Sequence, residues 1–199
     1  MSTARSDMLA RIRQANAAAG ARLDGVPRLY NAVADPAGQL ELLRERLRDY
    51  GAGVLDCTTD GIAAGVAEAL DRQTPVLAAP GLPDEWCPAA TIDADFSPEL
   101  LDTFAAVVTG CAAACAETGT LVLDGGLGQG RRALTLIPDH HVCVVHAQQV
   151  FRSVPELIAG LDPSRPLTFI SGPSATSDIE LIRVEGVHGP RRLSVVLVS

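Results

Sequence analysis

The sequence contains no lysine, because all 16 of its basic residues are arginine. Codon usage is an ordinary explanation, but the chemical consequence holds either way: the chain has no lysine for a Schiff base, a P-loop or a general base. Aromatic residues are also scarce, at 4% of a sequence that is 47% hydrophobic. We therefore expect a core of alanine, valine, leucine and isoleucine, which suits helices packed closely on a sheet.

The sequence has fewer basic than acidic residues. The formal net charge is −8 at pH 7 and the sequence pI is about 4.9. A surface that binds a nucleic-acid duplex needs clustered positive charge, so we expect no nucleic-acid partner. Acidic proteins still bind small anions in local pockets, so the charge does not exclude a ligand that carries a carboxylate or a phosphate.

The cysteine pattern lacks any CxxC pair. The five cysteines are Cys57, Cys87, Cys111, Cys115 and Cys143. Their odd number, with no signal peptide and no apolar run of membrane length, predicts a reduced, cytoplasmic protein without a membrane span. Cys111 and Cys115 are four residues apart, but two ligands do not close a tetrahedral metal site. We expect both to be buried, and we expect neither a metal nor a cofactor.

Hydrophobic periodicity predicts an α/β domain. Helices are predicted at 6–19, 36–50, 60–72, 111–116, 153–161 and 176–181, with a short one capped by Ser97, and strands at 53–57, 75–79, 105–109, 119–123, 142–145, 167–170 and 193–198. Continuous apolar strands between helices indicate a largely parallel sheet covered by helices on both faces. Residues 1–50 are interpreted as an N-terminal helical segment packing on the domain, and residues 51–199 as the α/β domain itself.

A glycine-rich loop spans Asp124 to Gly130. Gly126 and Gly128 match the first two positions of the dinucleotide-binding fingerprint, but Arg131 stands where its third glycine should be. Backbone amides in such a loop can approach an anion closely, and Arg131 and the following arginine can add guanidinium contacts. The alternative is a flexible connecting loop.

A second motif is Glu117-Thr118-Gly119-Thr120, just before a predicted strand. Glu117 is a candidate base or nucleophile, and the two threonine hydroxyls are candidate ligand contacts. The alternative is a turn in which the hydroxyls satisfy backbone groups and Gly119 supplies a positive φ.

Two further motifs lie near the end of the chain. Ser174, Thr176, Ser177 and Asp178 are typical of a capped helix start, and the same groups can leave donors facing a ligand. His188 and Gly189 belong to a Gly-Val-His-Gly-Pro turn, where the histidine is either an acid–base group or anion contact, or a turn residue bonded to backbone. By contrast, the adjacent pair at 140–141 lacks a third metal ligand at short spacing.

Three stretches resemble the LUD-domain family, in its lactate-utilisation protein C group. They are AETGTLVL (116–123), RRALTLIPDHHVCVV (131–145) and SGPSATSDIELIRVEGVHGPRRLSVVLV (171–198). The resemblance implies the fold of the sugar-phosphate isomerase and CoA-transferase superfamily (NagB/RpiA/CoA transferase-like). It also implies a place in a three-component system that oxidises L-lactate to pyruvate, with iron–sulfur clusters on partner subunits. Ala175 stands where relatives commonly have arginine, which weakens the expectation that this loop binds a carboxylate.

Three functional hypotheses follow. The first is an accessory or regulatory subunit of a lactate-oxidising complex that holds a small anionic ligand. The second is a free-standing enzyme of the CoA-transferase or isomerase type, with Glu117 as nucleophile or base and His188 as a further catalytic candidate. The third is a sensor that binds a small ligand without chemistry.

Overall fold

The computed structural model describes residues 4–19, 38–176, 184–185 and 189–199. The chain divides into two units, Met1–Asn31 and Ala32–Ser199. The first unit holds helix α1 (Ala4–Ala19). Its described side chains are all exposed, including the apolar Met8 and Ile12.

The second unit is built on a six-stranded sheet in which every neighbouring pair of strands is parallel. Its order is β1-β12-β7-β4-β2-β3, with β1 at Gly53–Cys57, β2 at Val76–Ala78, β3 at Thr91–Ile92, β4 at Ala106–Thr109, β7 at His140–His146 and β12 at Arg192–Val198. The long central strands β7 and β12 pair along their whole length, and both are nearly continuous apolar runs. A parallel sheet must be covered on both faces, which explains that composition. The predicted α/β class with a largely parallel sheet is confirmed.

Helices cover the two faces of this sheet. On one face, α3 (Ile62–Leu70) buries Ile62 and Val66 against the strands. On the other face, α2 (Gln39–Asp49) contributes Leu43 and Leu47, which are both fully buried. Complete burial of a leucine contributes roughly 1.5–3 kcal/mol, so α2 is firmly part of this core.

A second, four-stranded sheet packs on the α2 side. Its order is β8-β5-β6-β9, with β5 at Ala113–Cys115, β6 at Thr120–Leu123, β8 at Val150–Phe151 and β9 at Thr168–Ile170. The helical turns predicted for 111–116 are wrong, because residues 113–115 are a buried strand paired with both β6 and β8. Strand pairing in the core overrides the helix propensity of alanine.

Short elements complete the described chain. Ser97 caps α4 (Pro98–Leu101) by accepting a hydrogen bond from the Leu100 amide, as predicted. The remaining α-helix and strands of the second unit are α5 (Val154–Gly160) and a small antiparallel pair, β10 (Ala175–Thr176) and β11 (Val184–Glu185). Thr176 therefore begins no helix in the described residues, and the rest of the predicted helix at 176–181 lies outside them. Among the helices that the structure describes, none is long and apolar enough to cross a membrane.

Candidate functional site

The glycine loop, residues 124–130, follows β6 and is held by a hydrogen-bond network centred on Asp124. Its carboxylate accepts hydrogen bonds from the Gly126 amide at 2.9 Å, from Gln129 Nε2 at 2.8 Å and from Arg165 Nη1 at 2.5 Å. Burial raises the pKa of Asp124, but these hydrogen bonds outweigh burial and bring the pKa below its usual value. A Cβ on Gly126 would lie 2.8 Å from Asp124 Oδ1, so a side chain at this position would displace the carboxylate from its hydrogen-bond network.

Backbone hydrogen bonds fix the glycine loop to the carboxyl ends of β2 and β4. The Gly128 amide donates to the carbonyl of Pro80 at 2.9 Å, and the Gly110 amide donates to the carbonyl of Gly128 at 2.7 Å. Gly110 directly follows β4, and Pro80 lies just beyond β2. This is the edge of a parallel sheet at which ligands usually bind.

Arg131, predicted as an anion contact, is paired within the protein. Its Nε and Nη2 atoms donate to the two carboxylate oxygens of Asp93 at 2.8 and 3.1 Å, and Nη2 also donates to the Phe96 carbonyl at 2.6 Å. The hydrogen bond from Arg131 is the largest cause that lowers the pKa of Asp93. Arg131 therefore neutralises the buried carboxylate of Asp93 through its Nε and Nη2 atoms.

Two adjoining pockets open beside the glycine loop. We call the first the glycine-loop pocket; it has a volume of about 570 Å³, and its lining includes Gly126, Leu127, Arg131, Pro166 and Leu167. We call the second the β9 pocket; it has a volume of about 230 Å³ and lies between β9, the 3₁₀ turn at Arg132–Thr135 and the starts of β7 and β12. Both pockets are lined by Arg132, Thr135 and Thr168, so they meet along one shared wall.

Arg132 is the exposed arginine of that shared wall. Among the described residues its guanidinium has no hydrogen-bond or ion-pair partner. Its neighbours differ, because Arg131 is bound to Asp93 and Arg165 to Asp124. A guanidinium presents a planar fork of donors that matches a carboxylate or a phosphate.

His141 lies on the side of the β9 pocket formed by the central sheet. Its side chain is 1% exposed, and Nε2 lies 2.8 Å from the hydroxyl of Thr109 on β4. Burial, followed by the charge of the neighbouring His140, lowers the pKa of His141 to about 3. Its imidazole is therefore neutral at physiological pH.

His140 points to the opposite face of the same strand. Its Nδ1 lies 2.6 Å from Gln73 Oε1, and its Nε2 lies 2.9 Å from the hydroxyl of Ser194. Burial, and then the charge of Arg192, lower its pKa to about 4. No cluster of three or more metal-ligating side chains forms among the described residues, here or elsewhere.

The Glu117 motif forms the tight turn between β5 and β6. Gly119 has φ +60°, and a Cβ there would lie 2.8 Å from Cβ of Arg46 on α2. The hydroxyls of Thr118 and Thr120 are 2.8 Å apart, and that of Thr120 is 2.8 Å from Ser171 Oγ. Glu117 itself is exposed and lines neither pocket, but the hydroxyl chain reaches the β9 pocket because Ser171 lines it.

The motifs near the end of the chain are only partly described. Ser174 and Gly189 both line the β9 pocket, and the Ser174 amide donates to the Pro190 carbonyl at 2.8 Å. Thr176 lies in β10. The predicted site residues Ser177, Asp178 and His188 lie outside the described residues.

The structure thus brings together some predicted site residues and adds others. Gly126 and Arg131 line the glycine-loop pocket, Ser174 and Gly189 line the β9 pocket, and Gly128 anchors the loop between strands. Sequence reasoning missed His141 as a pocket residue. The only signal in the sequence was its position directly before the apolar run at 142–145, because a polar side chain that joins a buried strand is unusual unless a partner or a function accounts for it.

Comparison with known proteins gives one consistent family. The LUD domain description matches residues 33–198 of the chain. Lactate utilization protein C of Deinococcus radiodurans is 42% identical over 207 residues, which cover 98% of this chain and 96% of that protein. The Escherichia coli protein YkgG is 33% identical over 91 residues, covering 42% of this chain and 39% of that protein.

A solved structure shows the same fold. A crystal structure of a DUF162 family protein from Deinococcus radiodurans superposes with a TM-score of 0.72 at 38% sequence identity. The match covers 83% of this chain and 99% of that chain.

Proposed function

The chain belongs to the LUD-domain family, and from that premise we propose that it acts in lactate utilisation as an accessory or regulatory subunit that holds a small anion. The names of its relatives support the lactate-utilisation role. The pockets beside the glycine loop support the anion site, and Arg132 is the observation that carries it.

The protein as a whole is acidic, and this decides where an anion can bind. With a net charge of −8, a small anion is repelled by the chain as a whole and needs a local cation that is not already neutralised. Arg131 and Arg165 are each paired with an aspartate. Arg132 has no such partner in the described residues and stands on the wall that both pockets share.

Titration with small anions tests the site. Pyruvate, L-lactate and inorganic phosphate would each be titrated into the full chain by calorimetry, with a thermal-shift series alongside, since a bound ligand stabilises the native state. We expect Arg132→Gln to weaken binding about tenfold or more, as loss of a charge-assisted contact does. Arg48→Gln is the matched control, because Arg48 is an exposed arginine of α2 that lines neither pocket. Equal weakening by both variants would refute the specific role of Arg132.

The proposed partners are iron–sulfur subunits. Oxidation of lactate to pyruvate releases two electrons, and iron–sulfur clusters accept electrons one at a time. The full chain, tagged and recovered from lactate-grown cells, is expected to carry iron–sulfur proteins identified by mass spectrometry and by visible absorption. Glucose-grown cells and an unrelated tagged protein serve as controls. Recovery of no iron–sulfur protein would refute the subunit assignment. The anion site is tested separately by the titrations.

The alternative function is a free-standing enzyme of the CoA-transferase or isomerase type that uses Glu117. The observation in its favour is the hydroxyl chain from Thr118 through Thr120 to Ser171, which links the Glu117 turn to the β9 pocket. Under this alternative, Glu117→Gln abolishes turnover of a CoA thioester or sugar phosphate with folding unchanged. Turnover that survives the substitution would eliminate Glu117 as the catalyst.

A further inference from the structure

The two histidines at the start of β7 differ in one decisive respect. His140 has hydrogen-bond partners for both ring nitrogens, Gln73 and Ser194. His141 has one for Nε2, the Thr109 hydroxyl, and none for Nδ1 within the described part of the chain. His140 therefore has the hydrogen bonds of a purely structural histidine, whereas one ring nitrogen of His141 has no such partner among the described residues.

The unpartnered nitrogen of His141 opens to the β9 pocket. A polar atom sealed in a core without a partner costs about 1–3 kcal/mol, so native proteins rarely leave one. Among the described side chains only Ser153 Oγ is sealed in this way, so Nδ1 of His141 is not. His141 lines the β9 pocket, which is the space available to that nitrogen.

The hydrogen bond to Thr109 sets what Nδ1 can offer. A neutral imidazole carries one N–H and one lone pair, and a threonine hydroxyl can donate to the lone pair. When Thr109 donates to Nε2, the proton sits on Nδ1 and points at the pocket. In that arrangement the Thr109 hydroxyl makes His141 an uncharged donor, because the partner of one ring nitrogen fixes the role of the other.

The rest of the β9 pocket offers one cation, apolar walls and hydroxyl-bearing residues, among them Thr135, Thr168 and Ser171. Arg132 supplies the positive charge, whereas Leu136, Phe169 and Leu193 supply apolar surface. The volume of about 230 Å³ admits a compact ligand only. A ligand that pairs with Arg132, accepts a hydrogen bond from His141 and contacts the apolar wall carries one negative charge, a neighbouring uncharged oxygen and a short hydrocarbon end.

Resting on the small-anion function proposed above, we infer that the β9 pocket binds a short 2-oxo or 2-hydroxy carboxylate, with its carboxylate on Arg132 and its second oxygen on Nδ1 of His141. His141 is then the residue that distinguishes such a ligand from a plain carboxylate. The methyl group of a three-carbon acid lies against the apolar wall.

The test compares pyruvate and L-lactate with propionate, which has the same charge and three carbons but lacks the second oxygen. Calorimetry on the full chain is expected to give pyruvate or L-lactate about tenfold tighter binding than propionate, the value of one hydrogen bond of about 1.4 kcal/mol. In His141→Gln, the side-chain amide replaces Nε2 beside Thr109 and nothing replaces Nδ1, so the preference over propionate is lost. In His141→Asn, the amide stands near the position of Nδ1, so part of the preference returns.

A second readout covers variants that fail to fold. In the full chain labelled with ¹⁵N-histidine, the ring nitrogens of His141 are expected to show the Nδ1–H form and to shift with pyruvate more than with propionate. Equal binding of pyruvate and propionate, a preference that survives in His141→Gln, or a His141 signal unmoved by pyruvate would each overturn the inference. If Arg132→Gln still weakens all three acids, the anion site of the proposed function stands without it. If none of the three acids nor phosphate binds, both fail, and capture of iron–sulfur partners decides the subunit role separately.

Discussion

Arg131 and Arg132 are neighbours in the chain but have opposite surroundings. The guanidinium of Arg131 is held by both carboxylate oxygens of Asp93, whereas that of Arg132 has no partner among the described residues and faces two pockets. The Asp93 side chain is 3% exposed, so its charge depends on Arg131. The first arginine therefore stabilises the fold and the second remains available to a ligand.

This contrast predicts different stability effects for the two arginines. Arg131→Gln leaves a buried carboxylate without its cation and is expected to lower the free energy of unfolding by about 2 kcal/mol. Arg132→Gln is expected to change it by less than about 0.5 kcal/mol, as exposed substitutions usually do. Urea unfolding followed by circular dichroism measures both. Similar losses for the two variants would contradict the distinction.

The packing of α2 predicts a large cavity effect. Leu43→Ala is expected to destabilise the protein by about 2–5 kcal/mol, because the leucine is fully buried between α2 and the sheet. Leu100→Ala is the control, since Leu100 is 44% exposed and should cost little. Thermal and urea unfolding give the comparison. A small effect of Leu43→Ala would mean that α2 is not part of the core.

The two buried histidines predict a loss of stability in mild acid. Their pKa values in the native state are about 4 for His140 and about 3 for His141, below the ordinary value of 6.5. Below about pH 6.5 the two histidines bind protons in the unfolded chain but stay neutral in the native state. The free energy of unfolding therefore falls as the pH falls. Near pH 5 the loss from His141 alone is about 2 kcal/mol.

The pH window separates this effect from that of the carboxylates. The pKa values of Asp93 and Asp124 are lowered in the native state, so their contribution is present above the unfolded pKa near 4 and is lost only as the pH falls further. Urea titrations at pH 7.5, 6.5, 5.5 and 5.0 should show the histidine slope, and the double variant His140→Gln, His141→Gln should flatten it. A wild-type profile with no slope across this range would refute the assignment.

The network around Asp124 predicts that the glycine loop is rigid. Gln129→Ala removes the bond to the Asp124 amide at 2.6 Å and the bond to its carboxylate at 2.8 Å. We expect faster hydrogen exchange at the amides of Gly126 and Gly128, with about 1–2 kcal/mol of local stability lost. Leu127→Ala at the tip, where the side chain is 89% exposed, should leave exchange unchanged. Unaltered exchange in Gln129→Ala would show that the network does not hold the loop.

The sequence predicted the strands of the central sheet well, because their signal is local. The apolar runs predicted at 142–145 and 193–198 correspond to β7 at His140–His146 and β12 at Arg192–Val198. The alanine-rich segment at 113–115 was assigned wrongly, because its strand form depends on pairing with β6 and β8. Periodicity cannot report a partner that lies elsewhere in the chain.

The candidate site was less predictable for the same reason. Which arginine is paired depends on Asp93, 38 residues before Arg131 in the sequence. The role of His141 depends on Thr109, 32 residues away, which satisfies one ring nitrogen and leaves the other. Glycine loops and hydroxyl motifs can be read locally, but the partner of a charged or polar side chain is set by the fold.

Strand β6 separates two motifs that follow each other closely in the sequence. The Glu117 turn lies at its start and the glycine loop at its end, and the four residues of the strand, Thr120–Leu123, hold them roughly 13 Å apart. A three-carbon acid is too short to touch both. A substrate that is held by the glycine loop and acted on by Glu117 must therefore extend along the strand, whereas the compact acid proposed for the β9 pocket need not.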